Sequence, residues 1–284
     1  MKKSSFLQII IVFALLFTAC KSKPVVPEEE AVQSLSATLA FAGIKADDVK
    51  HLRLSYNLEA KAPSGSRAKI NSWRVLIDGQ DASSAFGLNY PKGEFPLGSP
   101  VSLTLSMDIA ALAAKGLAPK DDYAITLIVE LDVSGTATPA HITAQGTANF
   151  PGVQEPKFNI TSIAILKAEL VNTRFRVNMK IDNPNPFPLE LSGFIYELYG
   201  NGRLWADGME KNVLVVKGKS SLQGELYLIM NFINMERSLL NQIINLVDVN
   251  YHFIGEAQVS TGIDYLPKFK TGFDLSGYSE VLEK

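Results

Sequence analysis

Alternating apolar and polar residues in many short runs predict a chain made mostly of β-strands. Residues 52–58 and 175–181 alternate with the period of two that a half-buried strand shows. Residues 37–44, 101–109, 161–170 and 222–232 are also predicted strands. Two further runs lead into Asp78-Gly79 and Asn201-Gly202. These dipeptides favour the tight turn of a β-hairpin. Strands in this number, separated by turn signals, are typical of an antiparallel β-sandwich.

Two short segments have helical rather than strand periodicity. Residues 108–117 form the first, and residues 234–247 form the second, in which Met235, Leu239 and Ile243 recur at helical spacing. Asn234 precedes the second segment and suits a helix N-cap. We expect its apolar stripe to cover the open end of a core, with ligand binding as the alternative.

The second half of the chain repeats the first. A shift of 123 residues places Leu58 on Ile181, and it places Asp78-Gly79 on Asn201-Gly202. After a three-residue insertion the shift becomes 126 and Ile125 meets Tyr251. The repeat predicts two tandem antiparallel β-sandwich domains, immunoglobulin- or fibronectin-III-like, at 36–152 and 159–280. Each has one short α-helix, and the segment 152–157 joins them.

A proline-rich segment interrupts the second copy between two predicted strands. It reads Asn183, Pro184, Asn185, Pro186, Phe187 and Pro188. Proline cannot donate a ladder hydrogen bond, and it biases the preceding residue toward an extended backbone. We therefore expect the strand to break or to leave its sheet here.

The N-terminus has the pattern of a secretory signal followed by a lipid anchor. Lys2 and Lys3 precede an apolar run at 6–17, and small residues then lead to Cys20, the only cysteine. Residues 17–20 resemble a bacterial lipobox, which predicts cleavage after residue 19 and acylation of Cys20. The charged, proline-bearing segment 20–35 is then a flexible tether. Ordinary cleavage beside an incidental cysteine is the alternative.

Composition excludes some classes of function. The formal net charge is −2, and it becomes −4 without the two lysines of the leader. Because no basic cluster occurs, we expect no nucleic-acid partner. A single cysteine forms no disulfide within the chain, so stability has to come from apolar packing.

Catalytic and metal-binding motifs are missing from the sequence. The three histidines, His51, His141 and His252, are scattered, and no zinc, phosphate-loop, dinucleotide or serine-hydrolase motif occurs. We predict a protein that is not an enzyme and needs no metal or cofactor. Trp205, in the second hairpin beside Asp207-Gly208, is the candidate partner-binding side chain. Packing in the core or capping of the hairpin is the alternative.

The second copy resembles the WHy (water stress and hypersensitive response) domain of the group-2 late embryogenesis abundant, desiccation-related proteins. The resemblance rests on residues 177–182, the 183–188 loop, the turn at 199–202, Gly208, Gly218 and the run 222–230. In the first copy, Pro63 is the one proline retained in the corresponding loop. The resemblance implies a folded β-sandwich, a role in stress protection or binding, and no catalytic centre.

Two functional hypotheses follow from these features. The first is a lipid-anchored envelope protein that binds or shields macromolecules during water stress or envelope maintenance. The second is a ligand- or partner-binding lipoprotein, an adhesin or an assembly scaffold, that uses exposed edge strands or the Trp205 hairpin. Both place the chain in the bacterial cell envelope, at the outer membrane, its periplasmic face or the cell surface. The oligomeric state and the protein partners stay open.

Overall fold

The structure is mainly β, with antiparallel sheets. The computed structural model describes residues 35–136, 138–167, 173–230 and 248–283. The elements of the first half are β1 (Ser36–Ala46), β2 (His51–Lys61), β3 (Arg67–Ile77), β4 (Gln80–Asp81), a 3-10 turn (Ser83–Ala85), β5 (Phe86–Asn89), β6 (Phe95–Pro96), β7 (Val101–Asp108), α1 (Ile109–Ala113), β8 (Asp122–Ser134) and β9 (Ala140–Pro151). The strands of the second half are β10 (Lys157–Lys167), β11 (Thr173–Asn183), β12 (Leu189–Gly200), β13 (Arg203–Glu210), β14 (Leu214–Val216), β15 (Ser220–Met230), β16 (Asp248–Ser260) and β17 (Lys268–Glu283).

The two halves pair their strands in the same order. In the first half, one sheet has the order β1-β2-β7-β5 and the other has β4-β3-β8-β9. In the second half, β10-β11-β15 repeats the first sheet and β13-β12-β16-β17 repeats the second. A parallel pairing of β10 with β17 joins these two groups into one eight-stranded sheet.

Each half encloses its own apolar cluster, giving a β-sandwich-like arrangement. In the first half, the inward residues of both sheets, among them Tyr56, Leu105 and Leu127, meet in one cluster. In the second, the rings of Phe175 on β11 and Trp205 on β13 stack with centroids 5.4 Å apart. Because β11 and β13 are far apart in the sheet order, the eight-stranded sheet has to curl so that its two ends face each other.

The predicted hairpin turns are confirmed. Asp78 and Gly79 have φ values of 50° and 80°, and Asn201 and Gly202 have φ values of 50° and 76°. The flanking residues Ile77 and Gln80 pair, as do Gly200 and Arg203. Positive φ at both central residues is the geometry for which Asp-Gly and Asn-Gly are suited.

The helix predicted at 108–117 is present but short. It covers Ile109–Ala113, and the carboxylate of Asp108 accepts hydrogen bonds from the backbone N–H groups of Ala110 and Ala111 at 2.8 and 3.3 Å. This satisfies two of the donors that a helix N-terminus leaves free. The second predicted helix, at 234–247, lies outside the described residues.

The central strand pair, β3 with β8 in the first half and β12 with β16 in the second, has the same register in both halves. Ser72 lies opposite Glu130 and Arg74 lies opposite Ile128. Shifted by 123 and 126 residues, the same pairs are Ile195 with Glu256 and Glu197 with Ile254, and these are the observed partners. Each pair also has its register irregularity at the matching place, before Ser72 and before Ile195. A repeat in sequence is therefore a repeat in backbone geometry along these strands.

The halves contact each other, and the described residues belong to one compact unit. Val49 of the first half packs into the apolar cluster of the second. Tyr265 packs against both clusters, donates its hydroxyl hydrogen bond to the backbone carbonyl of Pro151, and meets the ring of Phe150 edge to face. Lys219 and Asp121 form an ion pair between the halves at 2.6 Å.

Candidate binding groove

The proline-rich loop at 184–188 connects β11 with β12, as the expected break in the strand requires. Asn183, at the end of β11, is buried, and its Nδ2 donates to the backbone carbonyl oxygens of Phe187, Val216 and Lys217 at 2.8, 3.1 and 3.2 Å. Its Oδ1 accepts from the backbone N–H of Asn185 at 2.9 Å, which makes an Asx-turn. The first asparagine therefore fixes the path of the loop.

The second asparagine of the loop binds the linker between the halves. Asn185 is 0% exposed, and its Oδ1 accepts from the backbone N–H of Gln154 at 2.7 Å while its Nδ2 donates to the carbonyl of Gln154 at 2.9 Å. A Cβ added to Gly218 would lie 2.3 Å from the carbonyl oxygen of Pro186, so the neighbouring turn packs closely on this loop. The loop's polar groups thus face inward and hold structure together.

Trp205 is not a surface residue, and its assignment to a partner surface is corrected. Only 3% of it is exposed, because its ring stacks on Phe175 and fills the space beside Gly200. A Cβ on Gly200 would lie 2.1 Å from the indole ring. The chain approaches so closely that the ring is buried within its own hairpin.

A groove lies instead on the outer face of β12, β16 and β17. Its volume is about 540 Å³, and it is open to solvent. Ile195 and Ile254 provide its apolar side chains, and Gly272 leaves its floor without a side chain. A Cβ added to Gly272 would meet only the carbonyl oxygen of Gly255, at 3.7 Å, so the space above this glycine is free.

Glycine also shapes the groove from below. Gly255 lies between Ile254 and Glu256 on β16, and a Cβ there would lie 2.2 Å from the carbonyl oxygen of Ile195 and 2.6 Å from the ring of Phe273. The backbone of β12 bulges at this point. Without a side chain on Gly255, the bulge and the Phe273 ring can both pack close to β16.

Carboxylates surround the apolar part of the groove. Glu197, Glu256 and Asp274 line it, and Asp207 lies on the neighbouring strand directly opposite Glu197. Lys270 pairs with Glu256 at 2.9 Å and His252 pairs with Asp274 at 2.8 Å. Within the described part of the chain, no ion pair joins Glu197 or Asp207 to a cation.

The carboxylates contribute to raised pKa values of two neighbouring tyrosines, Tyr199 and Tyr196. The hydrogen bond that Tyr199 donates to Glu197, at 2.7 Å, raises the pKa of its hydroxyl, and the charges of Glu197 and Asp207 raise it further. Burial raises the pKa of Tyr196, with smaller contributions from Glu210 and Asp207. The raised pKa of Tyr199 has the direction expected where anions disfavour a second negative charge, whereas the raised pKa of Tyr196 is chiefly an effect of burial.

Comparisons with known proteins give no family. No protein-family model matches the chain, and no curated protein matches it. A protein from Archaeoglobus fulgidus has 19% identity and a TM-score of 0.30, over 45% of this chain and 96% of that one. Bacteroides uniformis beta-glucuronidase has 11% identity and a TM-score of 0.27, over 80% of this chain and 26% of that one. The periplasmic chaperone SfaE has 11% identity and a TM-score of 0.25, over 88% of this chain and 100% of that one. Scores this low carry no argument about function.

The three histidines lie apart, each beside an aspartate. His51 approaches Asp48 at 3.0 Å, His141 approaches Asp132 at 2.6 Å, and His252 approaches Asp274. Among the residues that the structure describes, no group of three or more His, Cys, Asp or Glu side chains is placed to hold a metal ion. The histidines therefore sit in separate surface pairs.

The proposed lipid site, Cys20, lies outside the described residues, as do residues 20–34 of the tether. Leu35, the last residue of the tether, packs against the apolar cluster of the first half. In the described ranges, no helix has the length and apolar character needed to cross a membrane.

Sequence reasoning missed the groove because its residues come from three strands. The register of the three strands brings Ile195, Ile254 and Gly272 together in space. The sequence around each residue does not reveal that register. The sequence offered one signal of the groove, which is the repeat. It places Glu197 where the first copy has Arg74, so the charge at this position differs between the two halves.

Proposed function

We propose that this chain is a non-enzymatic, lipid-anchored envelope protein that binds or shields other macromolecules through the outer face of its second half. The observation that supports this most directly is the open groove between Ile195, Ile254 and Gly272. Exposed apolar side chains beside polar ones are common where proteins bind partners. The groove is also backed by a packed core, which keeps its shape before binding.

The proposed architecture is two tandem β-sandwich domains, immunoglobulin- or fibronectin-III-like, at 36–152 and 159–280. The shared pairing order of the strands and the matching register of the central pair support it. The contacts of Val49 and Tyr265 then form the domain interface.

The proposed anchor is an acylated Cys20, with residues 20–35 as the tether. The support is the sequence pattern of a positive start, an apolar run and small residues before the cysteine. More than one acyl chain holds a protein stably on a membrane. A Cys20→Ser variant should move from the membrane fraction to the soluble fraction and should no longer incorporate labelled palmitate. Retention of both would refute the anchor.

Water-stress protection is the biological setting that the WHy resemblance supports. The test is to dry or freeze a labile enzyme with the purified mature protein, and with an equal mass of an inert globular protein as the control. Greater recovery of enzyme activity with this protein supports the setting. Equal recovery would remove it but would leave binding at the groove untouched.

A dedicated partner is the second candidate function, in which the protein acts as an adhesin or an assembly scaffold. The groove favours it, because a surface with a defined shape is suited to one partner more than to general shielding. Affinity capture from envelope extracts, with the wild type and with a variant whose groove is filled, tests it. A partner captured by the wild type alone supports this function.

A further inference from the structure

We propose that the groove binds an extended, basic polypeptide segment that presents an apolar and a cationic side chain two positions apart on one face. This inference rests on the proposed function and names the class of partner for the same surface. It follows from the arrangement of apolar and acidic residues, from two carboxylates that pair with no cation within the described residues, and from the spacing of side chains.

Apolar and acidic side chains alternate in two directions across the groove. Along β12, Ile195 and Glu197 project from the same face, about 7 Å apart at the rise of a β-strand. On β16 the order is reversed, since Glu256 lies opposite Ile195 and Ile254 lies opposite Glu197. The surface is therefore a checkerboard of apolar and acidic positions.

The charge of this surface selects a cation. Glu197 and Asp207 lie directly opposite each other on β12 and β13. Like charges in that position destabilise a strand pair. Lys270 already pairs with Glu256, and His252 contacts Asp274. Among the described residues, no side chain pairs with Glu197 or Asp207 as a cation, so these two carboxylates are the ones open to a bound cation. A bound lysine or arginine would interact with both carboxylates and would relieve their repulsion.

The apolar positions next to this pair are open to solvent. Ile195 is 45% exposed and Met209, directly opposite it, is 56% exposed. The space above Gly272 extends the same apolar surface across β17. An apolar side chain of the partner would cover this surface while its cation reaches Glu197.

An extended segment has the spacing that the checkerboard requires. Successive side chains of a strand point to opposite faces, so residues two apart lie about 7 Å from each other on one face. That distance matches the spacing of Ile195 and Glu197. The first half has no such match, because Ser72 and Arg74 occupy the corresponding register positions.

Three synthetic octapeptides test this arrangement. In the first, valine and lysine alternate at the odd positions with serine at the even ones, so that both types share a face. The second has the same composition but puts valine at odd and lysine at even positions, on opposite faces. The third replaces the lysines of the first with glutamate. Binding to the mature chain with Cys20→Ser is measured by calorimetry at low and high salt.

We expect the first peptide to bind about tenfold more tightly than the second, and the third not to bind. High salt should weaken binding of the first peptide, because the Debye length falls from about 10 Å at 0.1 M to about 3 Å at 1 M. Equal affinity for all three peptides would overturn the inference.

Variants locate the site. Gly272→Val fills the groove in space that the backbone leaves free, and Glu197→Gln with Asp207→Asn removes the two carboxylate charges. We expect about tenfold weaker binding from the first and about fivefold from the second, in the range of exposed ion pairs. The matched controls are Gly87→Val, at an open strand glycine of the first half, and Glu59→Gln with Asp122→Asn. Neither control should change binding.

The outcomes separate the inference from the proposed function. Unchanged binding in both groove variants overturns the inference. If Gly272→Val lowers the melting temperature, binding by the Glu197→Gln, Asp207→Asn variant alone is the test, and unchanged binding there overturns the inference. Self-association of the chain that Gly272→Val abolishes would assign the groove to a second copy and overturn it too. An envelope partner that still binds Gly272→Val protein leaves the proposed function standing while the inference fails.

Discussion

Two buried asparagines show how a polar side chain can be indispensable inside a β-protein. Asn183 and Asn185 satisfy backbone groups that the proline-rich loop leaves without ladder partners. Asn185 also pairs with both backbone groups of Gln154. Buried polar atoms are costly only when they lack partners, and here each amide has several.

Asn185→Ala should therefore destabilise the protein. The substitution removes both bonds to Gln154 and leaves half-buried backbone groups unpaired, at a cost of about 1–3 kcal/mol. The midpoint of urea unfolding measures the loss.

Asn149→Ala is the matched control, since Asn149 is exposed on β9. It should change the free energy of unfolding by less than about 0.5 kcal/mol, as surface substitutions usually do. An equal effect of the two substitutions would contradict the structural role of Asn185.

His51 gives a pH-dependent contribution with a defined sign. The hydrogen bond with Asp48 raises the pKa of His51, and the charges of Asp48, Asp108 and Asp47 act in the same direction. Because the folded pKa lies above the unfolded one, this stabilisation is fully present below the unfolded pKa and is lost as the pH rises through the folded pKa.

NMR titration of the His51 ring measures this effect. Asp48→Asn should lower the pKa of His51 clearly while keeping the acceptor oxygen for the backbone N–H groups of Lys50 and His51. Asp108→Asn should lower it less, since Asp108 acts through charge alone. A larger effect of Asp108→Asn would show that the pairing is misassigned.

The hairpins were predictable from sequence because their determinants are local. Asp78-Gly79 and Asn201-Gly202 carry the turn geometry within two residues, and alternation fixes the faces of the flanking strands. The sequence left burial and exposure of Trp205 both open, since burial depends on the missing side chain of Gly200 across the hairpin.

One pairing in the repeat also differs from the sequence alignment. Leu54 on β2 pairs with Leu105 on β7, and the shift of 123 predicts that Val177 pairs with Leu228. The observed partner of Val177 is Leu226. A slip of two residues keeps every side chain on its own face, so the apolar pattern alone does not detect it.

Gly200→Ala tests the packing of the β12–β13 hairpin. The new methyl group would overlap the indole of Trp205, and the strain should cost about 1–3 kcal/mol. In a Trp73→Phe background, the fluorescence of Trp205 should shift to the red as the ring moves toward solvent. Gly87→Ala, at a strand glycine where a Cβ would meet nothing within 4 Å, should change neither the stability nor the emission of Trp205.

The two halves act as one structural unit through a few contacts near the linker. Tyr265 joins both apolar clusters, Asn185 holds Gln154, and Lys219 pairs with Asp121. Alternation along the chain predicted the two cores. It did not predict these contacts, because they bring together residues 31 to 114 positions apart whose pattern looks like that of ordinary loops.

Tyr265→Ala should uncouple the halves. Loss of the ring and of the bond to Pro151 removes about 2 kcal/mol or more of packing and hydrogen bonding. Calorimetry should show one thermal transition in the wild type and two in the variant. Tyr90→Ala, which removes a half-buried tyrosine that packs against the apolar cluster of the first half and lies under Lys92, should keep one transition. Two transitions in the wild type would show that the contacts do not couple the halves.

The prolines of the loop also bear on how the protein ages. Deamidation of asparagine starts when the backbone nitrogen of the next residue attacks the side-chain carbonyl and closes an imide ring. Pro184 and Pro186 follow the two buried asparagines, and a proline nitrogen has no hydrogen to lose in that reaction. Asn201, by contrast, precedes Gly202 in an exposed turn. Chemical damage over time should therefore accumulate in the hairpin, while the amides that hold the linker stay intact.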